Sequence, residues 1–115
     1  MRIDPSPQEI KSWLLTHHNA WIRIHKEEDG DQDLAELELK DVKLVPHRDY
    51  DNYLSAHALL LNGRGTIATE FGNKSLPHDF YEIALTDRWS ASTDKNTLRL
   101  QTERGHYTIS VSSDI

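Results

Sequence analysis

The chain contains no cysteine, which excludes disulfide frameworks, thiolate catalysis, zinc ribbons and iron–sulfur clusters together. It also lacks a long apolar run. The longest uninterrupted one, Ala58 to Leu61, falls far short of the ~20 residues that span a bilayer as a helix. Met1 to Pro7 carries Arg2 and Asp4 and no apolar h-region, so neither export by a standard signal nor membrane association is expected, and a cytoplasmic location is. Asn73-Lys74-Ser75 fits the glycosylation triplet, which without a secretion signal reads as a surface turn. A cationic face is missing too. Thirteen Lys and Arg oppose nineteen Asp and Glu for a formal net charge of −6, so nucleic acid is not an expected partner.

What is present is a pattern of short periodic runs. Apolar residues make up 37% of 115 positions and charged residues 28%, enough to bury a core and too little chain for two, so residues 1–115 are expected to form one domain. Ser6-Pro7-Gln8-Glu9 is a helix start, with Ser6 as cap, Pro7 at the first position and Glu9 completing a capping box. Ile10, Trp13, Leu14 and His17 then follow at i, i+3, i+4 and i+7, one stripe of a helix that Asn19 ends in a left-handed conformation. His17 is placed by this reading at the last carbonyls of the helix.

From Ala20 the period changes to two. Ile22 and Ile24 alternate with Trp21, Arg23 and His25, Glu28 to Asp31 turns the chain, and Ala35, Leu37 and Leu39 alternate with Glu36 and Glu38. Val42 and Leu44 resume out of step, which requires a bulge near Lys40-Asp41. Tyr53 to Leu61 and Thr66 to Phe71 flank Asn62-Gly63-Arg64-Gly65, the strongest short hairpin signal in the chain. Gly72 to Asp79 reads as a loop, and Tyr81, Ile83, Leu85, Trp89 and Ala91 share a parity that suggests one long or kinked strand. Turns at Asp94-Lys95-Asn96 and Glu103-Arg104-Gly105 separate the last strands. Polar and apolar residues alternate on nearly every run, as in an antiparallel sheet with one packed face and one wet one. The expected fold class is therefore α+β, with one N-terminal capped helix packed on a curved, mostly antiparallel sheet of about seven strands, a half-barrel or flattened barrel.

Chemistry is sparse. Seven histidines are present, but no H-E-x-x-H or other ligand pair is, and His17 and His18 point about 100° apart on a helix. No metal and no cofactor is expected. Asp29, Asp31 and Asp33 have the spacing of a calcium loop, yet Leu34 stands where that loop needs glycine and Lys40 where it needs glutamate, so an acidic turn is the better reading. No catalytic residue is assigned, since G-x-S-x-G, S-x-x-K and P-loop patterns are all absent, and whether the chain is an enzyme stays open. Glu27, Glu28, Asp29, Asp31, Asp33, Glu36 and Glu38 concentrate seven of nineteen acids in twelve positions. Trp21 is the aromatic left on the wet side of its strand. The expected activity is thus non-enzymatic protein binding of the immunity or inhibitor type, a basic partner docking on Trp21, Glu28, Asp29, Asp31, Asp33, Glu36 and Glu38. The alternative is a ligand or substrate pocket inside the curved sheet that uses His47, Asp49, Tyr50, His57 and His78. Oligomeric state is not read from the pattern.

Overall fold

In the computed structural model, residues 6–47, 56–69, 72–76, 79–85, 89–103 and 105–111 are described. Helix α1 spans Pro7–Leu15, and its start is built as the residue types require: Ser6 is extended and its hydroxyl accepts from the Glu9 amide at 3.3 Å. Ile10 and Leu14 are buried on its inner stripe, with Trp13 half-buried beside them. His17 lies past the helix end and packs its ring against Trp13, centroids 4.7 Å apart. The imidazole at the last carbonyls is instead that of His18, 3.3 Å from the Leu15 carbonyl oxygen. Asn19 has φ 69° and ends the helical segment.

Eight strands follow among the described residues, one more than the pattern suggested. They are β1 (Trp21–Glu28), β2 (Asp31–His47), β3 (Ala56–Thr69), β4 (Gly72–Ser75), β5 (Phe80–Leu85), β6 (Ser90–Thr93), β7 (Thr97–Gln101) and β8 (His106–Val111). All pairings are antiparallel, in the order β4-β3-β2-β1-β8-β7-β6, with β5 also on the outer edge of β3. Among the described residues the sheet does not close into a barrel.

Strand β2 is the spine. Its first half pairs β1, from Asp31↔Glu28 to Glu38↔Trp21, and it pairs β3 from Ala35 to His47. The register shifts between Leu39 and Asp41, as the change of parity at Val42 demanded. The bulge is also where α1 docks: the Asn19 amide donates to the Leu39 carbonyl at 2.6 Å, and Lys40 Nζ donates to Asn19 Oδ1 at 3.2 Å.

Three local expectations are overturned. Asn62-Gly63 is not a hairpin turn, because β3 runs straight through it. Gly63 and Gly65 lie opposite Leu39 and Leu37, and a Cβ on either would collide with the Glu38 or Glu36 carbonyl oxygen. These glycines serve close strand approach beside the bulge rather than a turn. Next, Gly72 to Ser75 forms β4, an exposed strand hydrogen-bonded to β3, so the triplet Asn73-Lys74-Ser75 is edge strand and not turn. Finally, the run from Tyr81 to Ala91 is two strands at opposite sides of the sheet. β5 pairs β3 and β6 pairs β7, and shared parity reflects only that both face one core.

That core is continuous. Ile10 and Leu14 of α1, Ile22 and Ile24 of β1, Leu37 and Leu39 of β2, Leu59 and Leu61 of β3, Ile83 and Leu85 of β5, Leu98 and Leu100 of β7 and Ile109 of β8 form one cluster, all at most 2% exposed. At ~1.5–3 kcal/mol for each large side chain buried, this face accounts for most of the drive to fold. Trp13 and Trp89 pack against it half-buried.

Candidate functional site

The acidic segment becomes the far end of the β1–β2 hairpin. Asp29 (φ 51°) and Gly30 (φ 87°) are both left-handed, the pair required by a two-residue turn whose twist matches the strands. The turn sets Glu28 opposite Asp31, Glu27 opposite Gln32 and Lys26 opposite Asp33. Pleat then sorts the carboxylates. Glu28, Asp31 and Asp33 share the parity of Ile24 and Ala35, at the rim of the packed face, whereas Glu27 is on the outer face.

On the rim, Lys26 Nζ lies 3.9 Å from Glu28 Oε1 and 5.6 Å from the centroid of the Tyr107 ring. Tyr81 of β5 is half-buried at the same rim, and its phenol is pushed well above the ordinary value, first by burial and then by the charges of Tyr107 and Asp33. On the outer side, Gln32 Nε2 donates to Glu27 Oε2 at 3.4 Å and Gln32 Oε1 lies 3.2 Å from His25 Nε2. Asp29, Asp31 and Asp33 are exposed and form no ion pair among the described residues.

The remaining expected docking residues lie elsewhere. Trp21 stands at the other end of β1, ~23 Å away at the usual rise of a strand. At 46% exposure it is the one large apolar side chain left in the open among the described residues. It faces Glu38 across the ladder, but Glu38 is met by Lys40 at 3.4 Å and Glu36 by Arg23 at 3.7 Å. The seven residues therefore divide into a tip, where Glu28 is met by Lys26 while Asp29, Asp31 and Asp33 form no ion pair among the described residues, and a charge-balanced outer face holding Trp21, Glu36 and Glu38. Lys26, Tyr81 and Tyr107 belong with the tip and were missed. The parity of Ala35 and Leu37, carried back to Asp33, was the signal that would have turned Asp33 toward them.

Of the alternative pocket residues, His57 is half-buried in β3 opposite Leu85, and His47 closes β2 opposite Ala56. Asp49, Tyr50 and His78 lie outside the described residues. Among the described residues no three His, Asp or Glu side chains are grouped to hold a metal ion, and no helix is long and apolar enough to cross a membrane.

Fold and site together define an α+β chain with one buried apolar cluster and an acidic hairpin among the described residues. It belongs to the family of YmzB-like proteins, which it matches over residues 3–114. It is 36% identical over 109 residues to YmzB of Bacillus subtilis (strain 168), a protein described as uncharacterized, with 90% of this chain and 92% of that protein covered. No solved structure matches.

Proposed function

We propose that this protein is a non-enzymatic binding module of the immunity or inhibitor type, whose acidic β1–β2 hairpin docks a basic protein partner in the cytoplasm. The observation that carries this reading is the hairpin end. Exposed Asp29, Asp31 and Asp33 have no ion pair among the described residues, while Arg23 and Lys40 are spent on Glu36 and Glu38 further along the sheet. Uncompensated charge at a projecting turn is a steering device, since it raises association rates with an oppositely charged surface. Trp21 supplies the apolar anchor. Its ~23 Å separation from the tip fits within one interface of standard size, which covers about 800 Å² on each partner.

The pocket alternative has less support, because the inner face is occupied by its own side chains, Leu37, Leu39, Leu59, Leu61, Ile83 and Leu85 among them. The test is a parallel capture from the source cell on the wild-type chain and on D29N/D31N/D33N, followed by association kinetics with whatever is recovered. The expected result is a basic partner whose association slows with the triple substitution and with salt, as the Debye length falls from ~30 Å at 0.01 M to ~8 Å at 0.15 M. Neutral or acidic partners that ignore both changes would overturn the reading.

A further inference from the structure

The outer face of β6, β7 and β8 carries a groove of about 410 Å³. Two adjacent rungs of the ladder line it, Ser92–Arg99–Thr108 and Ser90–Gln101–His106. The residues between these rungs, Ala91, Leu100 and Tyr107, turn their side chains into the core, so backbone forms the floor. With strands ~4.8 Å apart and side chains of one face ~6.8 Å apart along each strand, the six outward groups cover a patch of about 10 by 7 Å.

The chemistry of this patch is one-sided. It offers three hydroxyls, a carboxamide, an imidazole and a guanidinium, and no carboxylate lines it. Arg99 is exposed and, like Lys11, Lys43, Arg64 and Lys95, makes no ion pair among the described residues, but of these it is the one that lines the groove. In a chain of net charge −6, a cation left without an anion amid hydroxyl donors is the arrangement that recognises an oxyanion. The next residue along the His106 rung is Glu27 of β1, which accepts from Gln32 and bounds the groove on that side.

We propose that this groove binds a small molecule bearing a phosphate monoester. The Arg99 guanidinium takes the phosphoryl oxygens in its planar fork, the arrangement that suits arginine better than lysine. The hydroxyls of Ser92 and Thr108 flank it on the same rung as further donors. Ser90, Gln101 and His106 on the second rung address the organic body, for which a groove of this length leaves room beyond the phosphoryl group.

The proposal is independent of hairpin docking and is tested on the full chain by amide and arginine side-chain NMR. Inorganic phosphate, glycerol 3-phosphate and acetate are titrated separately at matched ionic strength. Saturable shifts confined to β6–β8 are expected with both phosphates, tighter with the ester and absent with acetate. Arg99→Gln, at an exposed position, should leave the spectrum folded and weaken ester binding by about tenfold or more, the worth of a charge-assisted hydrogen bond. Ser92→Ala should weaken it less, and D29N/D31N/D33N not at all, which separates failure here from failure of the docking reading. Shifts that do not saturate, that acetate reproduces, or that persist unchanged in Arg99→Gln would overturn the proposal, as would inorganic phosphate binding as tightly as the ester.

Discussion

A single dipeptide shows how local chemistry yields to its surroundings. Asn62-Gly63 has the composition of a hairpin turn, yet the ladder β2–β3 continues across it and leaves the Asn62 Nδ2 group buried without a partner among the described residues. The glycines are retained for space. Gly65→Ala should cost ~2 kcal/mol or more in a urea titration, because the new methyl meets the Glu36 carbonyl and cannot be relieved without moving β2. The same substitution in a free turn would cost far less. Tyr81 gives a second residue-scale expectation. Its phenol is raised in the folded state, chiefly by burial, while the unfolded chain ionises near pH ~10. Below that pH both states hold the proton and the contribution is whole. Above it the unfolded state loses its proton first, so stability falls as pH climbs toward the raised folded value. Tyr81→Phe should flatten part of that alkaline decline, read from thermal midpoints between pH 9 and 11, and an unchanged slope would remove Tyr81 as its cause.

At the scale of elements, what could be read in advance was what depends on neighbours in sequence. The Ser6 cap, the left-handed Asn19, the Asp29-Gly30 turn and the bulge after Leu39 all follow from residue types a few positions apart, and each is present. What could not be read depends on which strands meet. Leu85 and Ala91 share parity because both are buried in one core, but nothing local says that β5 joins β3 while β6 joins β7. Helix α1 joins the two kinds of information, since its stripe is local and its docking site, the bulge of β2, is not. Leu14→Ala, at a position with no exposure, should destabilise by ~3 kcal/mol through transfer and cavity terms. Ser6→Ala should cost ~1 kcal/mol by orphaning the Glu9 amide. Trp13, half-buried against His17, falls between them. Chemical denaturation of the three variants checks the order, and equal losses for Ser6→Ala and Leu14→Ala would mean that α1 is not docked as described.

For the whole molecule, the site was legible as a concentration of charge and illegible as a surface. Counting acids between Glu27 and Glu38 located the hairpin, but only pairing revealed that Glu28, Glu36 and Glu38 are matched by Lys26, Arg23 and Lys40 while Asp29, Asp31 and Asp33 form no ion pair among the described residues. The tip is also internally repulsive. Glu28 faces Asp31 at the last rung, a like-charge cross-strand pair that weakens a sheet. Carboxylates kept in such an arrangement lower stability, and one reason for a chain to carry them is that something else neutralises them. The D29N/D31N/D33N chain, with its formal net charge of −6 halved, should therefore be no less stable than wild type at low salt and more stable by roughly 0.5 kcal/mol once the facing pair is relieved. The difference should shrink when salt screens the exposed charges. Urea midpoints at 0.01 M and 0.5 M salt measure both quantities. A large loss of stability in the triple variant would instead mean that these exposed carboxylates hold the hairpin together through contacts of their own and are not held free for a partner.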